Sequence, residues 1–84
     1  MYRLVYDDAA RDQIAALPVE ALARLAEALT VLEVAPAGGR PYNEDYPDRP
    51  MRELVFGDAG QGVITYLALE REREVHVLVV QWAG

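Results

Sequence analysis

The sequence contains no cysteine, no lysine and no serine, and only one histidine, His76. Without Cys, no disulfide, thiolate zinc site or thiol nucleophile can form. Without Ser, the usual hydroxyl nucleophile of acyl-transfer enzymes is missing. One imidazole is too few for the common His-based metal sites. We therefore expect no metal and no cofactor, and a chemistry restricted to Arg, carboxylates, Tyr and His76.

Long apolar runs are also absent, since none approaches the ~18 residues of a membrane span. The alternating segment at residues 1–6 is too short for a signal peptide, so we expect a cytoplasmic protein without a membrane partner. Eight Arg against 14 acidic residues give a net charge of -6. This balance opposes broad nucleic-acid binding, which depends on neutralising phosphates, but it leaves room for a local cationic patch.

The length of 84 residues predicts a single domain over residues 1–84. A domain of this size buries only about 60% of the surface that its unfolded chain exposes. Since 52% of the residues are hydrophobic, the chain belongs to the ordered class. Its stability must therefore come from a well-patterned apolar core.

The apolar pattern predicts a strand followed by two helices. Residues 2–6 alternate with the period of two that a sheet requires. A helix capped by Asp7 or Asp8 follows and runs to about Leu17, where the next residue is proline. A second helix over residues 19–34 presents one apolar stripe, formed by Leu22, Leu25, Leu29 and Leu32.

Residues 35–50 contain four Pro and two Gly, which predicts a loop without regular structure. Loops of this length are often functional. The alternative is an ordered connector whose Tyr42 and Tyr46 pack on the sheet.

Three strands are predicted after this loop, over residues 51–56, 63–69 and 75–80. A Gly-rich turn and a charged hairpin loop join them into an antiparallel meander. The first strand must join the same sheet, because a lone strand leaves its backbone groups unpaired. The prediction is a two-layer α+β fold of order β-α-α-β-β-β, with a helical hairpin on a mainly antiparallel four-stranded sheet. The other face of the sheet stays open.

The available side chains are those needed to cleave a phosphodiester without a metal. A base takes the proton of the ribose 2′-hydroxyl, a cation stabilises the phosphate charge and an acid protonates the leaving oxygen. The candidates are Arg52, Arg49 and Arg40 for the cation, Glu44 or Glu53 for the base, and His76 or a Tyr for the acid. The structural alternatives are that Arg52 pairs with an acid at the sheet edge and that His76 is a packed strand residue.

The order of elements and several local sequences resemble the RelE/ParE superfamily of bacterial toxin–antitoxin toxins. The resemblance covers nearly the whole chain and starts with YRLVYDDAARDQIAALP at residues 2–18. It continues at Arg40-Pro41 and Tyr46-Pro47-Asp48 in the loop, at Met51-Arg52-Glu53-Leu54, at Val63-Ile64-Thr65-Tyr66 and at residues 75–80.

This resemblance implies a toxin that an antitoxin protein neutralises. Two activities follow from it: a metal-independent, ribosome-dependent mRNA endoribonuclease, or a poison of DNA gyrase. For the nuclease, Arg52 is the expected phosphate clamp and Glu53 and His76 are the expected acid/base groups. The expected substrate-binding residues are Arg40, Arg49, Tyr42 and Tyr46.

The chain departs from the family in charge, because family toxins are usually basic and this chain is acidic. Leu54 and either Gly62 or Val63 stand where the family often has cations. A second hypothesis is therefore a non-catalytic binding module of the same fold. Its open sheet face and the end at Trp82 would contact an antitoxin, a second copy in a homodimer, or a gyrase-type partner.

Overall fold

Two helices lie on one face of a five-stranded sheet in the computed structural model, which describes residues 1–84. The elements in chain order are β1 (Arg3–Tyr6), α1 (Asp8–Ala15), α2 (Val19–Val34), β2 (Arg40–Pro41), β3 (Met51–Phe56), β4 (Gly62–Leu69) and β5 (Glu74–Trp82). The strand order is β1-β5-β4-β3-β2, with β1 parallel to β5 and the other pairs antiparallel. The predicted two-layer α+β fold is confirmed.

The predicted number of strands was wrong by one, because β2 lies inside the segment expected to be irregular. Arg40 pairs with Glu53 and Pro41 pairs with Arg52. Proline is tolerated here because an edge strand has no outer neighbour that needs its missing N–H. The rest of the loop is built from a 3-10 turn at Pro36–Gly38 and from short turns.

The first helix is shorter than the pattern predicts, and the second buries a different face. α1 ends at Ala15, two residues before the predicted Leu17, and the side chain of its N-cap residue Asp7 makes no capping hydrogen bond. α2 has the predicted bounds, but Leu22 is 41% exposed. The same spacings of three and four also fit a neighbouring face of the helix, shifted by one residue from the predicted stripe. Small alanines occupy part of this neighbouring face. The buried residues of α2 are Ala21, Leu25, Ala28 and Leu32.

The centre of the core is Tyr66 on β4, which is fully buried. Its hydroxyl donates a hydrogen bond of 2.5 Å to the carbonyl oxygen of Pro36. Burial raises the pKa of Tyr66 above 10.0. Gly39 approaches so closely that a Cβ at this position would collide with the Tyr66 hydroxyl and lie 2.7 Å from the carbonyl oxygen of Glu53. Tyr66 therefore fixes the start of the loop to the middle of the sheet.

An extra residue in β5 decides which side chains reach the core. Thr65 pairs with Val79 and Tyr66 pairs with Val77, so Leu78 has no partner in β4. Such a bulge shifts the alternation of faces by one residue. Consequently Val77 and Val80 are both buried, although three positions separate them.

The opposite side of the sheet, which we call the open face, has no helix against it. Strands alternate their side chains, so the neighbours of the buried residues point to this side. The open face contains Arg3, Val5, Arg40, Met51, Glu53, Val55, Val63, Thr65, Leu67, Leu69, Glu74, His76, Val79 and Gln81. In addition, no helix of the chain is long and apolar enough to cross a bilayer.

Replacing Tyr66 by Phe should lower the free energy of unfolding by about 1–3 kcal/mol, because the carbonyl of Pro36 loses its only hydroxyl partner in a buried place. Urea denaturation measures this change. Tyr42→Phe is the matched control, since the Tyr42 side chain is more than half exposed and its loss should change stability by less than about 0.5 kcal/mol. Equal effects of the two variants would contradict the assigned role of the Tyr66 hydroxyl.

Candidate functional site

Arg52 uses its guanidinium to hold the loop. The side chain leaves β3 on the helix side of the sheet, where its strand partner is Tyr66. Nη1 donates to the carbonyl oxygen of Gly39 at 2.9 Å and Nη2 donates to that of Pro47 at 3.3 Å. Two backbone carbonyls thus accept hydrogen bonds from guanidinium N–H groups that a bound phosphate would need.

The hollow beside Arg52 has no surplus of positive charge. It measures about 280 Å³ and its lining includes Arg49 and Arg52 as well as Asp48 and Glu70. Two guanidinium groups face two carboxylates, so a phosphate entering this hollow would meet a balanced field. This position favours a structural role for Arg52 within the loop corner.

Of the other two arginines in the predicted cationic group, Arg49 lines the same hollow as Arg52, whereas Arg40 lies on the opposite side of the sheet. Arg40 is on the open face, where its Nε donates to Oε1 of Glu53 at 3.2 Å. Arg49 lies in the loop with its guanidinium carbon 4.1 Å from the ring centre of Tyr46. The structure therefore does not bring Arg40, Arg49 and Arg52 together on one surface.

The loop tyrosines are presented to solvent. Tyr42 and Tyr46 are each about half exposed, so the alternative in which they pack on the sheet is not what the structure shows. A hollow of about 350 Å³ lies beside Tyr42 and Arg49, with Pro50 and Met51 in its wall. These residues form an accessible corner, and their predicted binding of substrate stays a prediction.

A three-residue relay joins the first and last strands on the open face. Arg3 on β1 pairs through its Nη2 with Oε2 of Glu74 on β5. The other oxygen of Glu74 lies 3.0 Å from Nε2 of His76. Hydrogen bonds from His76 and then from Arg3 hold the pKa of Glu74 below its ordinary value of 4.5. Glu74 thereby fixes one ring nitrogen of the predicted acid/base residue.

The predicted catalytic residues do not share one cluster. Glu53 and His76 are both on the open face, but β4 lies between their strands, so at least about 10 Å separates them laterally. Arg52 points to the other side of the sheet. Sequence reasoning did not find Arg3 or Glu74, although the alternation of Glu74 and His76 along β5 was a signal that they share a face.

A groove between α2 and β3 is the second surface that could carry function. It measures about 310 Å³, and an ion pair between Arg24 and Asp58, with Nε and Oδ1 3.0 Å apart, spans its end. Arg24 also pairs with Glu27. The apolar lining is Ala28, Val31, Leu54, Val55 and Phe56.

The groove presents both apolar side chains and unpaired backbone. Val31 is 47% exposed and Val55 is 45% exposed. The N–H of Tyr42 donates to the carbonyl oxygen of Met51 at 3.0 Å, so alternate residues of β3 turn their backbone groups toward the β2 side. Because β2 begins only at Arg40, opposite Glu53, the outward backbone groups of Val55 have no strand partner. The groove therefore borders a short free sheet edge.

The fold matches solved structures over its full length. A chain of the intact E. coli RelBE toxin–antitoxin complex matches with a TM-score of 0.79 and 16% sequence identity, over 100% of this chain and 99% of that one. The isolated E. coli RelE toxin matches with a TM-score of 0.80 and 15% identity, over 100% and 86% of the two chains. The archaeal RelE–RelB complex from Pyrococcus horikoshii OT3 gives a TM-score of 0.66 at 15% identity, over 99% and 96%.

No protein-family model and no curated protein sequence matches the chain. The helical pair on an open sheet with a parallel first strand is the architecture shared with these structures. The chain has the RelE fold, as its resemblance in sequence predicted.

Replacing Arg52 by Ala should loosen the loop, because two carbonyl partners lose their donor. At about 1.5 kcal/mol for a half-buried, charge-assisted bond, hydrogen exchange at the amides of Tyr46 and Arg49 should accelerate by about tenfold. Mass spectrometry or NMR measures this rate. Arg71→Ala is the control, since Arg71 is exposed in the hairpin between β4 and β5, far in sequence from the loop. Unchanged exchange in the Arg52 variant would leave the guanidinium free for another role.

Replacing Glu74 by Gln should destabilise the folded chain only where the carboxylate is ionised. A folded-state pKa below the ordinary value means that the stabilisation is complete above about pH 4.5 and disappears as the pH falls through the folded pKa. Thermal melts at pH 7, 5 and 3 should show a gap between the melting temperatures of wild type and variant that narrows as the pH falls below 4.5. Glu72→Gln, at an exposed position, should show no gap, and a Glu74 gap of the same size at pH 3 as at pH 7 would refute the assignment.

Proposed function

We propose that this chain is a RelE-like toxin of a toxin–antitoxin pair and that an antitoxin segment binds it. The observation that carries the proposal is the match in fold over the whole chain to the toxin of the E. coli RelBE complex. Two further matched structures, a mutant E. coli RelE with an antitoxin peptide and the archaeal RelE–RelB complex, also pair this fold with an antitoxin.

The groove between α2 and β3 suits such a segment. An extended peptide can pair with the free backbone groups of Val55 and place apolar side chains beside Val31 and Leu54. The carboxylates of Glu27 and Asp58 at the rim and the net charge of -6 favour a basic segment. The occupant we propose is therefore a basic, extended part of the antitoxin.

Cleavage of mRNA is the second candidate, and one observation favours it. The carboxylate of Glu74 holds the His76 imidazole by a ring nitrogen at 3.0 Å, an arrangement that prepares a histidine for proton transfer. Arg52 and Glu53 remain predicted members of this site, with Arg40, Arg49, Tyr42 and Tyr46 as predicted substrate contacts. The separation of these residues and the acidic charge favour instead a toxin that acts by binding its target.

Tight induction of the full chain in a bacterial host tests the proposal. We expect growth arrest, and relief of the arrest when the protein encoded by the adjacent gene is expressed with it. Primer extension on host mRNA separates the two candidates: cuts within translated codons support a nuclease, and arrest without cuts supports binding. Folded protein at a good level with no arrest would overturn the toxin proposal.

The variant Val31→Glu tests, in the same experiment, whether the antitoxin binds in the groove. A carboxylate added at this exposed position should repel a basic segment, so arrest should persist while relief is lost. Val19→Glu adds the same charge at the start of α2, where Val19 is 82% exposed, and should keep both arrest and relief. Relief that survives in the Val31 variant would place the antitoxin elsewhere.

A further inference from the structure

We propose that two copies of this chain associate through their open faces, in a weak homodimer that does not depend on toxin activity. The first observation is that the open face is apolar at its centre. Register places Met51, Leu67, His76 and Val5 side by side across four strands, and Val79 beside Thr65 in the next row. The polar residues of this face, Arg40 and Glu53 at one side and Arg3 and Glu74 at the other, flank these apolar residues.

The composition of β5 makes the same point. Its run Val75-His76-Val77-Leu78-Val79-Val80 is almost continuously apolar, as in strands that are covered on both faces. The helices cover one face only, where Val75, Val77 and Val80 are buried. Val79 lies on the open face, away from the helices, and is half-buried in the single chain. A second layer would complete its burial.

Charge identifies the occupant of this second layer. The charged groups of the open face are two ion pairs, Arg3 with Glu74 and Arg40 with Glu53, so this face is neutral apart from the titratable His76. The rest of the chain therefore carries the whole net charge of -6. Two copies repel each other through their helical and loop surfaces, but they can meet through this face without opposing like charges.

The arrangement of the two pairs also suits a contact between identical faces. One pair lies at the β1–β5 side and the other at the β2–β3 side, with apolar residues between them. A two-fold axis between stacked sheets sets rim pairs against rim pairs and apolar centre against apolar centre. That is the usual anatomy of an interface, with an apolar middle and a polar rim. The open face has no surplus of cations that could bind a nucleic acid. A basic segment would bind at the groove, whose rim carries the complementary negative charge.

The size of the face limits the affinity. The five strands contain 4, 2, 6, 8 and 9 residues. At about 3.4 Å per residue and about 4.8 Å between strands, they cover about 470 Å² per copy. Stable dimers bury about 800 Å² per partner, so this contact belongs to the weak class with a dissociation constant on the order of micromolar. The dimer should therefore be visible at high concentration and dissociate on dilution.

Sedimentation equilibrium of the full chain between about 1 and 500 μM tests the proposal. We expect a monomer–dimer equilibrium that Leu67→Arg, at the centre of the face, weakens by at least about tenfold, and that Val19→Arg, with the same change in charge on α2, leaves unchanged or strengthens. Circular dichroism confirms folding. If Leu67→Arg does not fold, Leu67→Thr provides the uncharged test, since Thr is compatible with a strand.

Chemical shifts on dilution of the wild-type protein identify the surface directly. Shifts confined to Leu67, Val79, Thr65 and their neighbours support the open face. A monomer at 500 μM, a dimer indifferent to both Leu67 variants, or shifts at the groove would overturn the proposal. Since no readout involves growth arrest, a failure here is separate from a failure of the toxin function.

Discussion

The register between β4 and β5, with Leu78 as the extra residue, is the constraint on which the other features depend. It turns Tyr66 toward the helices and Val79 away from them. The uninterrupted register between β3 and β4 then places Arg52 on the side of Tyr66 and Glu53 on the open face. A slip of β3 against β4 by one residue would exchange these sides and would bury Glu53 in the core. The division of charged groups between the two surfaces is thus a consequence of strand pairing.

Much of this fold could be predicted from local pattern, and the failures have identifiable causes. The bounds of β3 and α2 follow from apolar periodicity and from proline and glycine at their ends. β2 could not be found, because two residues in a Pro-rich segment carry no period, and their pairing with Glu53 and Arg52 depends on contacts distant in sequence. The prediction that Leu22 belongs to the buried stripe of α2 was wrong, because a helix of alanines and leucines has two adjacent apolar faces. Only packing on the sheet selects one of them.

The candidate site was less predictable than the fold, because function depends on the position and the contacts of the polar group at the tip of each side chain. Arg52 is correctly placed on a strand, yet its guanidinium reaches back to the carbonyls of Gly39 and Pro47. No pattern in sequence indicates that a cation will be used by the loop that precedes its strand. His76 is also on its predicted strand, but its carboxylate partner is Glu74, two residues away on the same face. Residue type and approximate position were therefore accessible, whereas the partner of each charge was not.

The distribution of charge explains how one small sheet can present two different surfaces. In the groove, the single cation Arg24 is shared between Glu27 and Asp58, which leaves a negative rim around exposed valines. On the open face, each carboxylate has its own arginine, and the surface stays neutral around an apolar centre. A basic segment gains Coulomb energy only at the groove, and a second acidic copy avoids repulsion only at the open face. Because β3 separates the two surfaces, both contacts can form on one molecule without competing for the same residues, except near Val55, where the groove and the open face meet.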